Sequence, residues 1–229
     1  MTTIIALVSQ KGGVGKSTVS RALATEAAQN GLSVKIADLD TQQGTCVEWN
    51  RTRLEKAIKP IVAVEAFGTA AQALKIAPQY DLLIIDGPAR ASVGTLEIAK
   101  AANLVVQPTG PAKDDLIPAV KEFHALVKAG IPRERLVFAL NGVGTEAEER
   151  EAREYITDAG YLILGCLYEQ PAYRRAHNSG RSVTETSYKH LNKQADALIQ
   201  SLIDKIGVDD DGELSEDKAQ EQLGRTSVA

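Results

Sequence analysis

The segment SQKGGVGKST, residues 9–18, follows the apolar run IIALV of residues 4–8 and decides how the rest of the sequence is interpreted. A short apolar run bounded by glycine is typical of a buried parallel strand, and residues 18–30 have the composition of a helix that Gly31 ends. A glycine loop between a strand and a helix leaves backbone N–H groups unpaired and aimed at one point, where a polyphosphate is stabilised. The segment therefore predicts a phosphate-binding loop.

The residue types within this loop indicate separate tasks. We expect Lys16 to place a positive charge at the phosphates and the Ser17 hydroxyl to bind magnesium. The strict pattern G-x-x-x-x-G-K-[ST] is not met, because Gln10 stands where that pattern has its first glycine, and a second lysine, Lys11, follows it. A glycine turn that binds nothing is a poor alternative, since strand, glycines, Lys-Ser and helix all coincide. The residues predicted to bind the nucleotide here are Gly12, Gly13, Val14, Gly15, Lys16, Ser17 and Thr18.

Length and composition favour one α/β domain. The chain has 229 residues, of which 24% are charged and only 4% aromatic, so Ala, Val, Ile and Leu must build the core. Strand-like and helix-like segments alternate to about residue 206, which predicts one doubly wound, mostly parallel sheet flanked by helices over residues 1–206. We see no basic and apolar leader and no apolar run near 18 residues, so we expect a cytoplasmic protein that does not enter a membrane. Cys46 and Cys166 match no metal or redox spacing and are expected to be reduced thiols.

The last segment, residues 207–229, is acidic. It contains seven carboxylates and two basic residues, a net charge of −5, and since the whole chain carries −4 the preceding residues carry +1. Such a stretch is most simply a disordered, solvating tail. Its charge means that the overall acidity of the chain does not exclude binding to nucleic acid.

Three carboxylates follow predicted strands. Asp38 and Asp40 come after the strand of residues 32–37, and Asp86 ends the apolar run of residues 80–85. Because open parallel sheets place ligands at the carboxyl ends of their strands, we expect these groups to face the phosphate loop. Carboxylates there can hold magnesium and orient an attacking water. Alternatively, the first two cap the helix that follows them, and both roles can coexist.

Basic residues are concentrated between residues 173 and 193, with few acids among them: Arg174, Arg175, His177, Arg181, Lys189, His190 and Lys193. Such a cluster can neutralise DNA phosphates without reading bases, and we name Arg174, Arg175, Arg181, Lys189 and Lys193 as candidate DNA contacts. The alternative is a solvated helical face whose arginines pair with the acidic tail or with the charged helix near residues 146–154.

Several of these motifs resemble one family. The run KGGVGKST resembles the deviant Walker A motif of the ParA/MinD ATPases, and residues 38–43 resemble the family's D-x-D-P-Q switch with Thr41 in place of proline. The segment after the last predicted strand resembles that of small, ParF-like ParA proteins. The resemblance covers residues 2–206 and implies a P-loop NTPase fold of the SIMIBI type that binds ATP or ADP with Mg²⁺.

The resemblance also implies roles for single residues. Lys11 would reach the nucleotide of a partner subunit, Asp40 would position or activate the attacking water, and Asp38 and Asp86 would act through the magnesium shell. Asn141 would contact the adenine edge, although an Asn before a glycine also suits a turn without any ligand. Residues that would line the adenine pocket are Gln170 and Pro171.

The function that the resemblance implies is a switch: an ATP-bound homodimer that holds nonspecific DNA on the nucleoid, segregates plasmid or chromosomal DNA, and is stimulated by a centromere-binding, ParB-type protein. Two alternatives remain open, namely positioning of a non-DNA cargo on the nucleoid and a metabolic ligase of the dethiobiotin synthetase type. A MinD-like membrane cycle would need a basic amphipathic helix where the acidic tail stands, and an iron–sulfur carrier would need cysteine ligands.

Overall fold

Seven strands form one sheet in the computed structural model of the chain, which describes residues 2–88 and 93–207. The strands are β1 (Thr3–Leu7), β2 (Val34–Asp38), β3 (Ala63–Ala66), β4 (Leu82–Asp86), β5 (Leu104–Thr109), β6 (Leu136–Val143) and β7 (Leu162–Tyr168). Their order is β3-β2-β4-β1-β5-β6-β7, and every pair runs parallel. The predicted parallel α/β sheet is therefore confirmed.

Helices cover both faces of this sheet. They are α1 (Lys16–Gln29), α2 (Thr45–Glu55), α3 (Ala70–Lys75), α4 (Val93–Ala101), α5 (Lys113–Lys128), α6 (Glu146–Asp158), α7 (Pro171–Asn178) and α8 (Lys189–Gly207). Side chains along β1 alternate between two apolar cores: Ile5 and Leu7 join the core under α1, α2, α7 and α8, whereas Ala6 and Val8 join the core under the other four helices. Both faces of the central strands are buried, which is why they appear in the sequence as unbroken apolar runs.

The register of the sheet brings the predicted site residues to one edge. Asp86, the last residue of β4, lies opposite Leu7 of β1 on one side and opposite Asp38 of β2 on the other. The phosphate loop begins just after Leu7. Loop, Asp38 and Asp86 therefore meet where β1, β2 and β4 end, as expected for a parallel sheet.

Some predicted boundaries differ from the structure. β6 continues through Asn141 to Val143, so Asn141 lies in the strand rather than in a turn after it. β7 continues through Gly165 to Tyr168 rather than ending at Leu164. Leu198 of α8 packs closely on the bare glycine, since a Cβ there would lie 2.6 Å from Leu198 Cδ1. The N-cap of α5 is Ala112 rather than Asp114.

The acidic tail predicted for residues 207–229 lies, apart from Gly207 at the end of α8, outside the described residues. Within the described part of the chain, no helix is long and apolar enough to cross a membrane.

Candidate functional site

The phosphate loop is held between β1 and α1 by close backbone packing. Gly15, the N-cap of α1, has φ of 106°, a conformation that glycine adopts without strain. A Cβ at Gly15 would lie 2.5 Å from Asn141 Nδ2, so any other residue here would displace the Asn141 side chain. Asn141 Nδ2 also donates a hydrogen bond to the Val14 carbonyl, at 3.1 Å. The predicted adenine-contacting residue thus lies directly beside the loop and helps to shape it.

A cavity of about 240 Å³ opens at the N-terminus of α1. Its lining consists of Gly12, Gly13, Gly15, Lys16, Ser17, Thr18, Arg21, Asp40, Gln43, Thr45, Gly87 and His177. Lys16 is only 8% exposed, and burial lowers its pKa, while the carboxylates of Asp86, Asp40 and Glu122 oppose that change. A buried lysine beside the backbone N–H groups of a helix N-terminus is suited to binding a polyphosphate.

Lys11, the second lysine of the loop, is directed away from this cavity. Its ammonium group forms an ion pair with Asp115 and donates to the Asp114 carbonyl at 3.5 Å, both at the start of α5. The Lys11 side chain remains 46% exposed. In the single chain, therefore, Lys16 lines the phosphate cavity and Lys11 lies on its rim.

Asp38 and Asp86 form a buried acidic pair at the ends of β2 and β4. Asp38 is fully buried and Asp86 is 2% exposed. Burial and the nearby Asp86 carboxylate raise the pKa of Asp38. Burial also raises the pKa of Asp86, against the opposing effects of the Ser17 hydroxyl and the Cys46 thiol. Asp86 Oδ1 has no hydrogen-bond partner among the described residues.

This donor set fits a magnesium ion. An unpartnered, buried carboxylate oxygen of Asp86 beside the Ser17 hydroxyl offers hard oxygen ligands, which Mg²⁺ prefers. The Cys46 thiol donates to the other Asp86 oxygen, Oδ2, at 3.1 Å, and burial raises the pKa of this thiol well above its usual range. The thiol therefore orients Asp86. Cys46 is a free, buried cysteine, which agrees with the reduced thiol predicted for it.

The capping alternative for the two β2 aspartates is correct in part. Asp38 Oδ2 accepts from the backbone N–H of Cys46, in the first turn of α2, at 3.0 Å, and Asp38 Oδ1 accepts from the Asp40 N–H at 3.1 Å. The N-cap residue itself is Gly44. Asp40 is half-buried and lines both the phosphate cavity and a larger cavity of about 440 Å³ that extends over Gly12 to Pro88.

A buried glutamate in α5 supports the loop and was missed by the sequence reasoning. Glu122 Oε2 accepts from the Gln10 backbone N–H at 3.1 Å and from Gln107 Nε2 at 2.7 Å. Burial raises the pKa of Glu122, and Lys16 is one of the groups that oppose the rise. A carboxylate on the apolar face of α5, between Ala119 and Leu126, is the signal that would have identified it.

The chain matches a protein-family model over most of its length. Residues 5–183 match the CobQ/CobB/MinD/ParA nucleotide-binding domain. The chain belongs to this family. A comparison with curated proteins found no match.

Solved structures of MinD and ParA-like proteins share the fold of this family member. MinD from Pyrococcus horikoshii, crystallised with Mg-ADP, is 20% identical, with a TM-score of 0.70 over 88% of this chain and 96% of that one. A putative plasmid partition protein from Borrelia burgdorferi, bound to AMPPNP, is 16% identical, with a TM-score of 0.70 over 90% and 100% of the two chains. Apo McdA from Cyanothece is 15% identical, with a TM-score of 0.67 over 88% and 100%. At these identities the likeness shows the fold.

The three residues predicted to surround adenine lie at the same edge of the sheet in this CobQ/CobB/MinD/ParA domain. Asn141 pairs with Leu167 across β6 and β7, and Gln170 and Pro171 follow β7 as the N-cap and first residue of α7. Gln170 is half-buried and Pro171 is exposed. Their assignment to the adenine pocket stays a prediction.

The predicted DNA-contacting side chains are all exposed, but the domain does not gather them into one patch. Arg175 and Arg181 line a groove of about 220 Å³ together with Glu185 and Tyr188. Arg174 lies on the exposed side of α7 and pairs with Glu169 at 3.1 Å. Lys189 begins α8 and is exposed.

Two members of the basic segment lie elsewhere. Lys193 lines a separate groove that also contains the acids Glu26 and Asp196. His177, which belongs to the basic segment in the sequence, instead lines the phosphate cavity. The basic surface is therefore best defined by Arg174, Arg175 and Arg181.

Helix α2 connects the sheet edge that carries Asp38 and Asp86 to this basic surface. Arg53, fully buried, forms hydrogen bonds with both Glu185 oxygens, at 2.7 and 2.9 Å, and donates to the Gly180 carbonyl at 3.1 Å. Trp49 Nε1 donates to the Arg181 carbonyl at 3.0 Å. The same helix begins at the residues that Asp38 holds. The segment carrying Arg181 is thus fixed to an element that starts at the nucleotide site.

Proposed function

We propose that this chain is a Mg²⁺-dependent ATPase that dimerises when ATP is bound, holds nonspecific DNA in that state, and releases it after hydrolysis. Such a cycle segregates or positions plasmid or chromosomal DNA, and a centromere-binding, ParB-type partner would stimulate hydrolysis. Binding to nonspecific DNA would place the protein on the nucleoid. Family membership supports the nucleotide-dependent core of this proposal.

The observation that carries the proposal is the position of the two lysines. Lys16 is buried in the phosphate cavity of its own chain, whereas Lys11 lies at the rim, with its side chain 46% exposed. An exposed lysine next to a phosphate site can approach the nucleotide of a second copy that faces it. There it would supply charge to the transferred phosphoryl group, as an arginine finger does.

The residues of this chain suggest how hydrolysis proceeds. Backbone N–H groups from Gly12 to Ser17 and the Lys16 ammonium would bind the phosphates, and Asp40 would orient the attacking water. Ser17 and Asp86, with Asp38 behind them, would hold Mg²⁺, which when bound neutralises charge on the phosphate oxygens. The half-buried position of Asp40 between the two cavities supports its assignment.

The DNA-binding part of the proposal rests on the exposed basic surface. Arg175 and Arg181 share one groove, and Arg174 lies on the exposed side of the same helix as Arg175. Contacts of this kind neutralise phosphates without selecting sequence. Pairing two such surfaces in a dimer raises the affinity for a long duplex steeply, because the second contact becomes intramolecular.

Two measurements on the full chain test the proposal. Light scattering after size exclusion reports dimers, and gel shifts report binding to a nonspecific duplex; both are run with ATP, ADP or no nucleotide. We expect dimers and retarded DNA with ATP only. Lys11→Ala should abolish both while leaving the affinity for ATP within about threefold of wild type, since Lys11 lies outside its own cavity.

Lys113→Ala is the matched control, because Lys113 is another exposed lysine at the start of α5. It should behave as wild type. Equal DNA binding in all three nucleotide conditions would contradict the switch. Rapid ATP turnover by a monomer, unaffected by DNA, would instead favour a metabolic enzyme.

A further inference from the structure

His177 occupies an unusual position for a residue in a basic segment. It lies near the end of α7, but its side chain lines the cavity formed by the phosphate loop, together with Ser17 and Thr18. Its Nε2 atom is buried and has no hydrogen-bond partner among the described residues. Buried polar atoms in folded proteins are almost always paired, so an unpaired one in a residue that lines a ligand cavity is a group that a ligand can satisfy.

Arg21 lies beside His177 in the same cavity. It belongs to α1, one turn after Ser17, and is 6% exposed. One of its terminal nitrogens donates to the Thr45 carbonyl, its guanidinium carbon lies 5.5 Å from the centre of the Trp49 ring, and its Nε atom is buried without a partner. The wall of the cavity between α1, α2 and α7 therefore holds a buried positive charge and two unpaired nitrogens.

The protonation state of His177 fits a hydrogen-bond donor rather than a second cation. Burial, and then the charge of Arg21, lower the pKa of His177 to about 4. The imidazole is therefore neutral at pH 7, and a neutral imidazole has one ring N–H available to a ligand. Arg21 makes this wall attractive to an anion, and the imidazole adds a directed donor.

We propose that His177 is a nucleotide-contacting residue whose Nε2–H donates to a phosphate oxygen of the bound nucleotide. This contact adds a residue to the nucleotide site. Its effect on the basic surface, which follows, rests on the proposed function. Because His177 belongs to α7, the same contact ties that helix to the nucleotide. Arg174 and Arg175 lie on the exposed side of α7, so the basic surface is held in place when nucleotide is present.

Nucleotide affinity tests the contact directly, without reference to DNA. Fluorescent ADP and ATP analogues, titrated into the full chain with Mg²⁺, should bind His177→Ala about tenfold more weakly, the amount expected for one hydrogen bond to a charged group. His177→Gln should recover most of this loss, because its amide can donate from a similar position. His190→Ala, on an exposed histidine of α8, should bind as tightly as wild type.

A comparison of two unlabelled nucleotides separates a phosphate contact from a ribose contact. Competition by 2′,3′-dideoxy-ATP should be weakened by His177→Ala to the same extent as competition by ATP. If only ATP loses affinity, the ligand group is a ribose hydroxyl and the phosphate assignment is wrong. If His177→Ala binds both nucleotides within twofold of wild type, or if His177→Gln is no better than His177→Ala, the inference is overturned.

DNA gel shifts with saturating ATP test the second consequence. His177→Ala should bind nonspecific DNA at least fivefold more weakly than His190→Ala. Wild-type binding by His177→Ala would overturn the coupling. Failure of wild type to bind DNA with any nucleotide would count against the proposed function instead, and the affinity measurements would still decide the role of His177.

Discussion

Lys11 forms an ion pair with Asp115 of its own chain, across the gap between the phosphate loop and α5. The pair is partly exposed, and Lys11 also donates to the Asp114 carbonyl. If Lys11 serves the nucleotide of a second copy, it must leave this carboxylate first. The intramolecular pair would therefore compete with dimer formation.

Asp115→Asn should lower the protein concentration at which ATP-dependent dimers form, by up to about fivefold, since exposed ion pairs contribute at most about 1 kcal/mol. Sedimentation at a series of concentrations measures this midpoint. Asp114→Asn is the control, because its backbone carbonyl and not its carboxylate contacts Lys11. An unchanged midpoint for Asp115→Asn would show that the pair does not restrain Lys11.

Asp40→Ala should stop ATP hydrolysis while preserving ATP binding. Positioning of the attacking water by a side chain contributes about 10²–10⁴-fold to rate, so kcat should fall by that factor. Phosphate release and equilibrium binding of an ATP analogue give the two quantities. Asp158→Ala, which removes an exposed carboxylate at the end of α6, should leave both nearly unchanged. Undiminished hydrolysis in Asp40→Ala would remove Asp40 from the mechanism.

The groove geometry predicts which basic residues set the salt dependence of DNA binding. Arg175→Ala and Arg181→Ala should each reduce the slope of log affinity against log salt by about 0.9 per lost phosphate contact. Lys193→Ala should have a smaller effect, because Glu26 and Asp196 line its groove. Lys75→Ala, in α3 on the other face of the sheet, is the control. Equal slopes for all four variants would place the DNA elsewhere.

The Arg53–Glu185 pair should matter far more to stability than surface pairs do. Arg53→Ala leaves Glu185 without its partner in a buried site, which costs about 3–5 kcal/mol of unfolding free energy. Urea denaturation measures this loss. Arg51→Ala, which breaks an exposed pair with Glu55 in the same helix, should cost less than about 1 kcal/mol. Similar losses in the two variants would mean that burial does not determine how much an ion pair contributes to the unfolding free energy.

The contribution of Glu122 to the stability of the nucleotide-free protein should fall as the pH rises. Burial raises the pKa of Glu122 in the folded chain above its ordinary value of 4.5, so the folded state binds the proton more tightly than the unfolded state. Its contribution to stability is thus fully present below about pH 4.5 and is lost as the pH rises through the raised pKa.

Glu122→Gln removes this titration. The difference in unfolding free energy between pH 5 and pH 8, measured in urea without nucleotide, should be smaller in Glu122→Gln than in wild type. Exposed Glu134→Gln is the control and should keep the wild-type pH profile. A profile for Glu122→Gln that matches wild type would show that this carboxylate does not titrate differently in the two states.

Local patterns in the sequence were sufficient to predict the fold and those parts of the candidate site that follow predicted strands directly. The glycines, Lys16 and Ser17 follow a strand directly, and Asp38 and Asp86 each end an apolar strand of a parallel sheet. The carboxyl ends of parallel strands lie at one edge of the sheet, so these residues can be placed there without any knowledge of side-chain packing. This is why the phosphate loop and both predicted magnesium aspartates could be named from the sequence.

Only the tertiary structure decided the contacts between distant elements. Glu122 and His177 lie more than a hundred residues beyond the loop, and no periodicity shows that one supports Gln10 while the other enters the phosphate cavity. The division of the basic segment between two grooves and a buried cavity depends on which side of α7 and α8 faces the sheet. Composition fixes the charge of a segment, whereas packing decides where each charge lies.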